Sequence, residues 1–194
     1  MVSGSGSNLQ ALIDASAANT LDAQVAAVFS NKKGAYGLER AKQAGIPAVY
    51  FPYAPFRETG RASYDAALAE QVAHFQPDLI VLAGWMRIFT PSFLDQFSGR
   101  IINLHPALPG TYIGAHGVEW AFNAFQAGEI EHGGCMVHYA IPEVDEGEPI
   151  ATASVPIFKT DSVDDYAQRL RLAEHQLIVE ATQIALNAIN KKRE

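Results

Sequence analysis

Short apolar runs alternate with amphipathic helical stretches through the first half of the chain, and this alternation constrains the fold more than any other feature. The runs that predict β-strands are residues 24–29, 47–51, 79–83 and 100–104. The intervening stretches that predict helices are residues 8–18, 37–44 and 61–75. Strands that alternate with helices are typical of a mostly parallel sheet that is covered by helices on both faces.

The pattern changes in the last third of the sequence. Two strand-like runs, 135–140 and 149–158, are separated only by an acidic loop with Gly and Pro, which predicts sequential antiparallel strands. Helices are predicted over 118–127 and 162–190, the latter being long and amphipathic. We therefore expect a Rossmann-like α/β fold with a mostly parallel sheet, flanking helices, late antiparallel strands and a long C-terminal helix.

Local signals add detail at both ends of the chain. Asp161 or Ser162 is the predicted N-cap of the long helix. At the other end, only Met1, Val2 and Ser3 precede a glycine loop that would normally follow a full strand. This leaves open whether the first strand is very short or whether the natural start lies upstream.

Composition limits the classes of protein to consider. A length of 194 residues predicts a single domain over 1–194. The net charge of -7 argues against a nucleic-acid partner, because such partners usually require a basic face. No apolar run approaches the ~20 residues that a membrane-spanning helix needs. The single cysteine, Cys135, excludes an internal disulfide and fits a cytoplasmic location.

The segment 101–109 contains the first candidate catalytic residues. Asn103 and His105 close an apolar run and lie two residues apart, so on a strand they face the same side. Pro106 then ends the strand, which places both side chains at the carboxyl end where open α/β sheets bind ligands. An amide beside an imidazole suits an oxygen that gains negative charge. The alternative is a buried structural histidine beside a turn asparagine.

Asp145 is the third candidate, in the loop between the two late strand-like runs. A carboxylate beside an imidazole raises the pKa of the imidazole and orients the ring. The sequence places His105 and Asp145 at the ends of elements but does not show that they meet. The alternative is a solvated turn residue.

Two further segments predict binding rather than catalysis. The glycine loop 4–10 precedes a helix and can cradle a phosphate, although an ordinary capped helix start has the same pattern. Leu9 stands where a dinucleotide-binding loop carries its third glycine, which disfavours an NAD-dependent oxidoreductase. The segment 82–89 can wall a pocket for a flat heterocycle, or simply connect a strand to a helix. No spacing among the histidines and Cys135 predicts a metal site.

Taken in order, these segments resemble the glycinamide ribonucleotide formyltransferase family, which are folate-dependent enzymes of purine biosynthesis. The segments that carry the resemblance are SGSGSNLQ (3–10), VFSN (28–31), GLERA (37–41), LAGWMRI (82–88), NLHP (103–106), EHG (131–133) and VDEG (144–147). The resemblance covers essentially the whole chain. It implies 10-formyltetrahydrofolate as co-substrate, phosphoribosylglycinamide as formyl acceptor, no metal, and a monomer or homodimer.

The resemblance also implies roles for individual residues. The residues that match the catalytic trio are Asn103, His105 and Asp145. The residues that match the substrate site are Gly6, Ser7, Asn8 and Glu174. The residues that match the folate site are Arg61, Met86, Arg87, Ile88, Phe89, Asn103, Ile141, Pro142, Glu143, Val144 and Asp145. Residues 1–100 would then form a phosphate-binding half and 101–194 a catalytic and folate-binding half.

Three alternatives remain at this point. The motif around Asn103 and His105, with a later Asp, also resembles methionyl-tRNA formyltransferase and formyltetrahydrofolate deformylase. The first would normally carry a basic C-terminal domain, and the second an extra N-terminal domain. A non-catalytic folate or nucleotide sensor is the second alternative, but binding alone does not require Asn103, His105 and Asp145 together. The NAD-dependent oxidoreductase considered above is the third.

Overall fold

The computed structural model describes residues 1–114 and 116–192. Its strands are β1 (Val28–Ser30), β2 (Ala48–Tyr50), β3 (Ile80–Leu82), β4 (Ile101–His105), β5 (His132–Tyr139) and β6 (Pro149–Pro156). Its helices are α1 (Ser7–Ala17), α2 (Tyr36–Gln43), α3 (Gly60–Ala73), α4 (Pro91–Leu94), α5 (Gly117–Gln126) and α6 (Val163–Lys191). The predicted α/β alternation is confirmed, and α4 is an addition that the sequence patterns did not predict.

The strands form a two-stranded sheet and a four-stranded sheet, which residues 1–3 connect. β1 pairs with β2 and β3 pairs with β4 in parallel, whereas β4, β5 and β6 pair antiparallel. The first three residues join the two parallel pairs: the Val2 N–H donates to the Phe29 carbonyl, and the Ala83 N–H donates to the Met1 carbonyl. The order is therefore β2, β1, residues 1–3, β3, β4, β5, β6.

The predicted strand over 24–29 is only partly correct, because β1 begins at Val28. Val2 pairs with Ser30, and residues 24–27 border a cavity of about 300 Å³ rather than a paired strand. A strand requires a hydrogen-bonded neighbour, and these residues lack the one that would extend the ladder. The Met1 amine lies beside this cavity, and burial lowers its pKa to about 5.

Side chains alternate between two apolar layers on opposite faces of the sheet. Ile102 and Leu104 point into a layer formed with α1 and α6, whereas Ile101 points into an aromatic layer formed with α3 and α4. Asn103 and His105 share the orientation of Ile101 because strand side chains alternate with period two. The end of β4 thus delivers both polar groups to the aromatic side of the sheet.

The N-terminal end of α6 resolves the choice between two predicted caps. Ser162 is the N-cap: its side chain accepts from the Asp165 N–H, and the Asp165 carboxylate accepts from the Ser162 N–H. Asp161 instead forms an ion pair with Arg169 at 2.9 Å. The reciprocal capping satisfies two donors that would otherwise lack partners at the helix start. None of the helices in the described part of the chain is long and apolar enough to cross a membrane.

Candidate active site

Four polar side chains meet where the ends of β4 and β5 lie side by side. Asn103 and His105 lie on β4, and the antiparallel register places His138 of β5 opposite Asn103. Asp145, from the loop between β5 and β6, completes the group. We refer to Asn103, His105, His138 and Asp145 as the polar cluster. The structure therefore brings together the three residues predicted as catalytic and adds a histidine that the sequence analysis did not assign.

The contacts within the polar cluster couple all four members. The two oxygens of Asp145 lie 3.3 Å from His105 Nδ1 and 3.3 Å from Asn103 Nδ2. Asn103 Nδ2 also lies 3.1 Å from His138 Nε2, which is 3.6 Å from Asp145 Oδ1. The two histidines are only 3% and 2% exposed, so water competes little for these contacts. In this low-dielectric setting each contact is stronger than it would be in water.

The loop that carries Asp145 has unusual backbone geometry. Asp145 has a φ of 58°, in the left-handed region that few residues other than glycine adopt. Gly147 packs so tightly against the Tyr139 carbonyl that a Cβ at this position would overlap with it. The close return of the loop against β5 directs the Asp145 carboxylate toward β4.

Main-chain groups of residues 112–114 contact the polar cluster from a second direction. His105 Nε2 donates to the Tyr112 carbonyl at 3.1 Å, and the Gly114 N–H donates to Asp145 Oδ2 at 2.9 Å. Tyr112 and Gly114 have φ values of 48° and 98°. The sequence analysis did not predict these contacts, because main-chain donors and acceptors occur at every position and leave no residue signature.

Burial and charge oppose each other within the polar cluster. Burial lowers the pKa of His105 and outweighs the Asp145 carboxylate, which raises it. Burial raises the pKa of Asp145, but hydrogen-bond donors around the carboxylate, among them the Gly114 N–H, outweigh it, so the pKa of Asp145 is lowered. Asp145 is therefore an anion at neutral pH. The net shift at His105 is opposite to the one that the sequence analysis expected from its carboxylate neighbour.

A cavity of about 340 Å³ opens beside the polar cluster. All four cluster residues line it. The residues assigned to the folate by sequence that also line it are Met86, Arg87, Ile88, Phe89, Asn103, Ile141, Val144 and Asp145. Met86 and Ile88 are 64% and 63% exposed, so apolar surface surrounds the entrance. An open cavity with apolar walls and a few polar groups at one end suits a flat heterocycle.

Three of the predicted folate residues lie outside the lining of this cavity. These are Arg61, Pro142 and Glu143. Arg61 pairs with the buried Asp65 at 3.2 Å and donates to the carbonyl of Ile88, so it supports the wall from behind. Arg87 does line the cavity, and its buried Nε has no hydrogen-bond partner within the described chain. Such a guanidinium can donate hydrogen bonds to a carboxylate of a bound molecule.

The predicted phosphate loop has the backbone that a phosphate cradle requires. Gly6 is the N-cap of α1 and has a φ of 70°. A Cβ on Gly6 would lie 2.7 Å from the Gly37 Cα, so no larger residue fits without displacing α2. Arg40 of α2 holds the loop through a 2.8 Å hydrogen bond to the Ser5 carbonyl. The free N–H groups of Ser7 and Asn8 then begin α1, where anions bind favourably.

The other predicted substrate residue, Glu174, meets this loop from α6. Asn8 Nδ2 donates to Glu174 Oε2 at 3.2 Å. Burial raises the pKa of Glu174 and outweighs the Asn8 hydrogen bond and the charge of Arg171. Burial, together with the charges of Arg171 and Arg40, lowers the pKa of His175. The sequence analysis did not assign Arg40, Arg171 or His175 to this region.

Ser3 connects the phosphate loop to the cavity. Its N–H donates to the Gly84 carbonyl, and its Oγ accepts from the Met86 N–H at 2.9 Å. The same Oγ donates to Asn31 Oδ1 at 2.6 Å. Since Ser3 precedes the loop and Met86 lines the cavity, the loop and the cavity lie at the same edge of the sheet.

Within residues 1–114 and 116–192, no group of three or more His, Cys, Asp or Glu side chains is arranged to hold a metal ion. Cys135 is buried, and burial raises the pKa of its thiol to about 12. A thiol with so high a pKa is a poor nucleophile.

Comparisons with known proteins show which family the chain is similar to. The Formyl transferase family profile matches residues 1–182. The phosphoribosylglycinamide formyltransferase of Schizosaccharomyces pombe is 49% identical over 191 residues, covering 93% of this chain and 92% of that protein. The Escherichia coli enzyme of the same name is 43% identical over 177 residues, covering 91% and 81%. The crystal structure of glycinamide ribonucleotide transformylase 1 from Symbiobacterium toebii matches with a TM-score of 0.90 at 37% identity, covering 96% of this chain and 85% of that one.

Proposed function

The chain belongs to the formyl transferase family, and we propose that it transfers a formyl group from 10-formyltetrahydrofolate to the amine of 5′-phosphoribosylglycinamide in de novo purine biosynthesis. The observation that carries this proposal is the polar cluster, in which an amide, an imidazole and a carboxylate surround one end of a cavity of about 340 Å³. The phosphate loop at the same edge of the sheet would bind the phosphate of the acceptor substrate.

The reaction forms a bond between the amine nitrogen and the formyl carbon and breaks the bond from that carbon to N10 of the folate. The proton lost by the amine ends on N10. Negative charge develops on the formyl oxygen during the reaction, and the N–H donors of Asn103 and His105 stabilise it. One such donor commonly lowers the barrier by about 3 kcal/mol.

His105 reaches the formyl oxygen from its Nε2 atom. In the structure this atom donates to the Tyr112 carbonyl oxygen, 3.1 Å away. Movement of residues 112–114 on substrate binding would break this bond and leave the Nε2–H group able to donate to the formyl oxygen. Burial lowers the pKa of His105 and therefore disfavours the imidazolium. The Asp145 carboxylate opposes this shift, and it favours the imidazolium when negative charge develops beside the ring.

Asp145 has a second task in the proposed reaction, the movement of the proton from the amine to N10. The pKa of Asp145 is lowered, so its carboxylate can accept a hydrogen bond from the amine or from a bridging water at neutral pH. The folate would lie against the cavity wall formed by Met86, Ile88 and Ile141. The N–H groups at the start of α1 would hold the substrate phosphate, and Glu174 its ribose.

We also infer a single catalytic domain that acts in the cytoplasm as a monomer or homodimer, with small-molecule substrates and neither nucleic acid nor membrane as partner. The support is compositional: one buried cysteine and a net charge of -7.

The experiment is to incubate the protein with 10-formyltetrahydrofolate in the presence and absence of phosphoribosylglycinamide and to measure tetrahydrofolate and formylated product separately. We expect product and tetrahydrofolate in equal amounts, and release of tetrahydrofolate only when the acceptor is present. Release without the acceptor would indicate a deformylase. Binding of the folate without any turnover would indicate a sensor.

A further inference from the structure

We propose that His138 is a positioning residue that holds the Asn103 amide in the orientation required for formyl transfer. This inference rests on the proposed function and adds a fourth member to the trio predicted from sequence. It is carried by the position of the ring, which lies opposite Asn103 across the β4–β5 ladder and is 2% exposed.

The hydrogen-bond network assigns the tautomer of His138. Its Nδ1 lies 2.9 Å from the Tyr139 carbonyl, which can only accept, so Nδ1 carries a proton. The neutral ring then has a lone pair on Nε2, and Asn103 Nδ2 donates to it at 3.1 Å. If the Asn103 amide were turned over, its Oδ1 would face this lone pair and the Asp145 carboxylate, and both contacts would be repulsive.

The two hydrogens of Asn103 Nδ2 have different partners. One bonds to His138 Nε2 at 3.1 Å, and the other bonds to Asp145 Oδ1 at 3.3 Å. Both hydrogens are therefore engaged in the structure. We assign the Asp145 bond as the one that is exchanged for the formyl oxygen, because the buried His138 bond keeps Nδ2 directed at the cavity while the exchange occurs.

A matched pair of substitutions separates the two ring nitrogens. The amide of a glutamine side chain reaches about as far as Nε2, whereas that of an asparagine reaches only about as far as Nδ1. We expect His138→Asn to lower kcat by about 10- to 100-fold, the effect of a buried donor left without its acceptor. His138→Gln restores an acceptor for Asn103 and should stay within about fivefold of wild type. The KM values of both substrates should change little in either variant.

A double variant tests whether His138 acts through Asn103. If it does, Asn103→Ala combined with His138→Asn should have the same kcat as Asn103→Ala alone. Full addition of the two losses would overturn the proposal, as would equal kcat values for His138→Asn and His138→Gln, or losses confined to KM.

Circular dichroism identifies variants that fail to fold. Should His138→Asn be one of them, His138→Ala with added imidazole replaces it, and kcat should rise with imidazole concentration. A flat response would overturn the proposal. Absence of formyl transfer by the wild-type protein would instead contradict the proposed function, so the two failures are distinguishable.

Discussion

The phosphate loop and the polar cluster lie at the same edge of the sheet but are constructed in opposite ways. The loop uses backbone N–H groups from neighbouring residues, and its shape depends on Gly6 having a φ of 70° and no Cβ. The cluster uses side chains from β4, β5 and a distant loop, held by contacts of 3.1 to 3.6 Å. Backbone conformation therefore controls the first region, whereas strand register and charge control the second.

The largest effect is expected when charge is removed from the polar cluster. Asp145→Asn keeps the size of the side chain but removes the carboxylate that opposes the lowered pKa of His105 and that we propose takes part in moving the amine proton. We expect kcat to fall by about 10²- to 10⁴-fold, with both KM values nearly unchanged. Steady-state kinetics with formylated product as the readout measures this.

Asp161→Asn is the matched control for that substitution. Asp161 is also an ion-paired carboxylate with a lowered pKa, owing to Arg169, but it lies at the start of α6 away from the cavity lining. Its kcat should match the wild type. Near-normal turnover in Asp145→Asn would remove this residue from the mechanism.

A change in the phosphate loop should act on binding instead of turnover. Gly6→Ala forces a Cβ to within 2.7 Å of the Gly37 backbone at a positive φ. Strain of this kind costs about 1–3 kcal/mol, so the KM for phosphoribosylglycinamide should rise roughly 10- to 100-fold. The KM for the folate should stay the same.

Gly4→Ala is the control in the same loop, because a Cβ there meets nothing within 4 Å. It should leave both KM values close to those of the wild type. If Gly4→Ala and Gly6→Ala raise the KM equally, the backbone of Gly6 does not shape the loop. If Gly6→Ala lowers kcat alone, the idea that the loop controls binding while the polar cluster controls turnover is contradicted.

The smallest expected effect concerns stability, at the point where α6 meets the loop. Burial raises the pKa of Glu174, so above its folded pKa the ionised form lowers the free energy of unfolding. Glu174→Gln should therefore raise Tm at pH 7 while it weakens binding of phosphoribosylglycinamide. The gain in Tm should shrink as the pH falls toward the ordinary glutamate value of about 4.3, because wild-type Glu174 becomes protonated.

The exposed Glu180 on the same helix provides the control, since Glu180→Gln should change neither Tm nor binding. Thermal denaturation across pH, with calorimetry for the substrate, measures both properties. A lower Tm in Glu174→Gln at pH 7 would show that the Asn8 contact outweighs the burial of the charge.

Local sequence patterns were sufficient for much of the fold. The short apolar runs and the helical patterns predicted all six strands and the five longer helices, and Ser162 was one of two predicted caps. They were wrong for residues 24–27, because these residues border a cavity and have no neighbouring strand among the described residues that would extend the ladder. The short α4 was not predicted, because a four-residue helix depends on its packing against α3.

The sequence by itself determined which residues could perform the chemistry: a glycine loop before a helix, and Asn103 and His105 on one side of a strand that ends at Pro106. Only the tertiary structure decided that Asp145 reaches both of them, that His138 lies opposite Asn103, and that burial lowers the pKa of His105. The physical reason is the separation along the chain over which each effect acts. Backbone conformation and side-chain alternation act over a few residues, whereas register, burial and charge depend on segments that the chain brings together only when it folds.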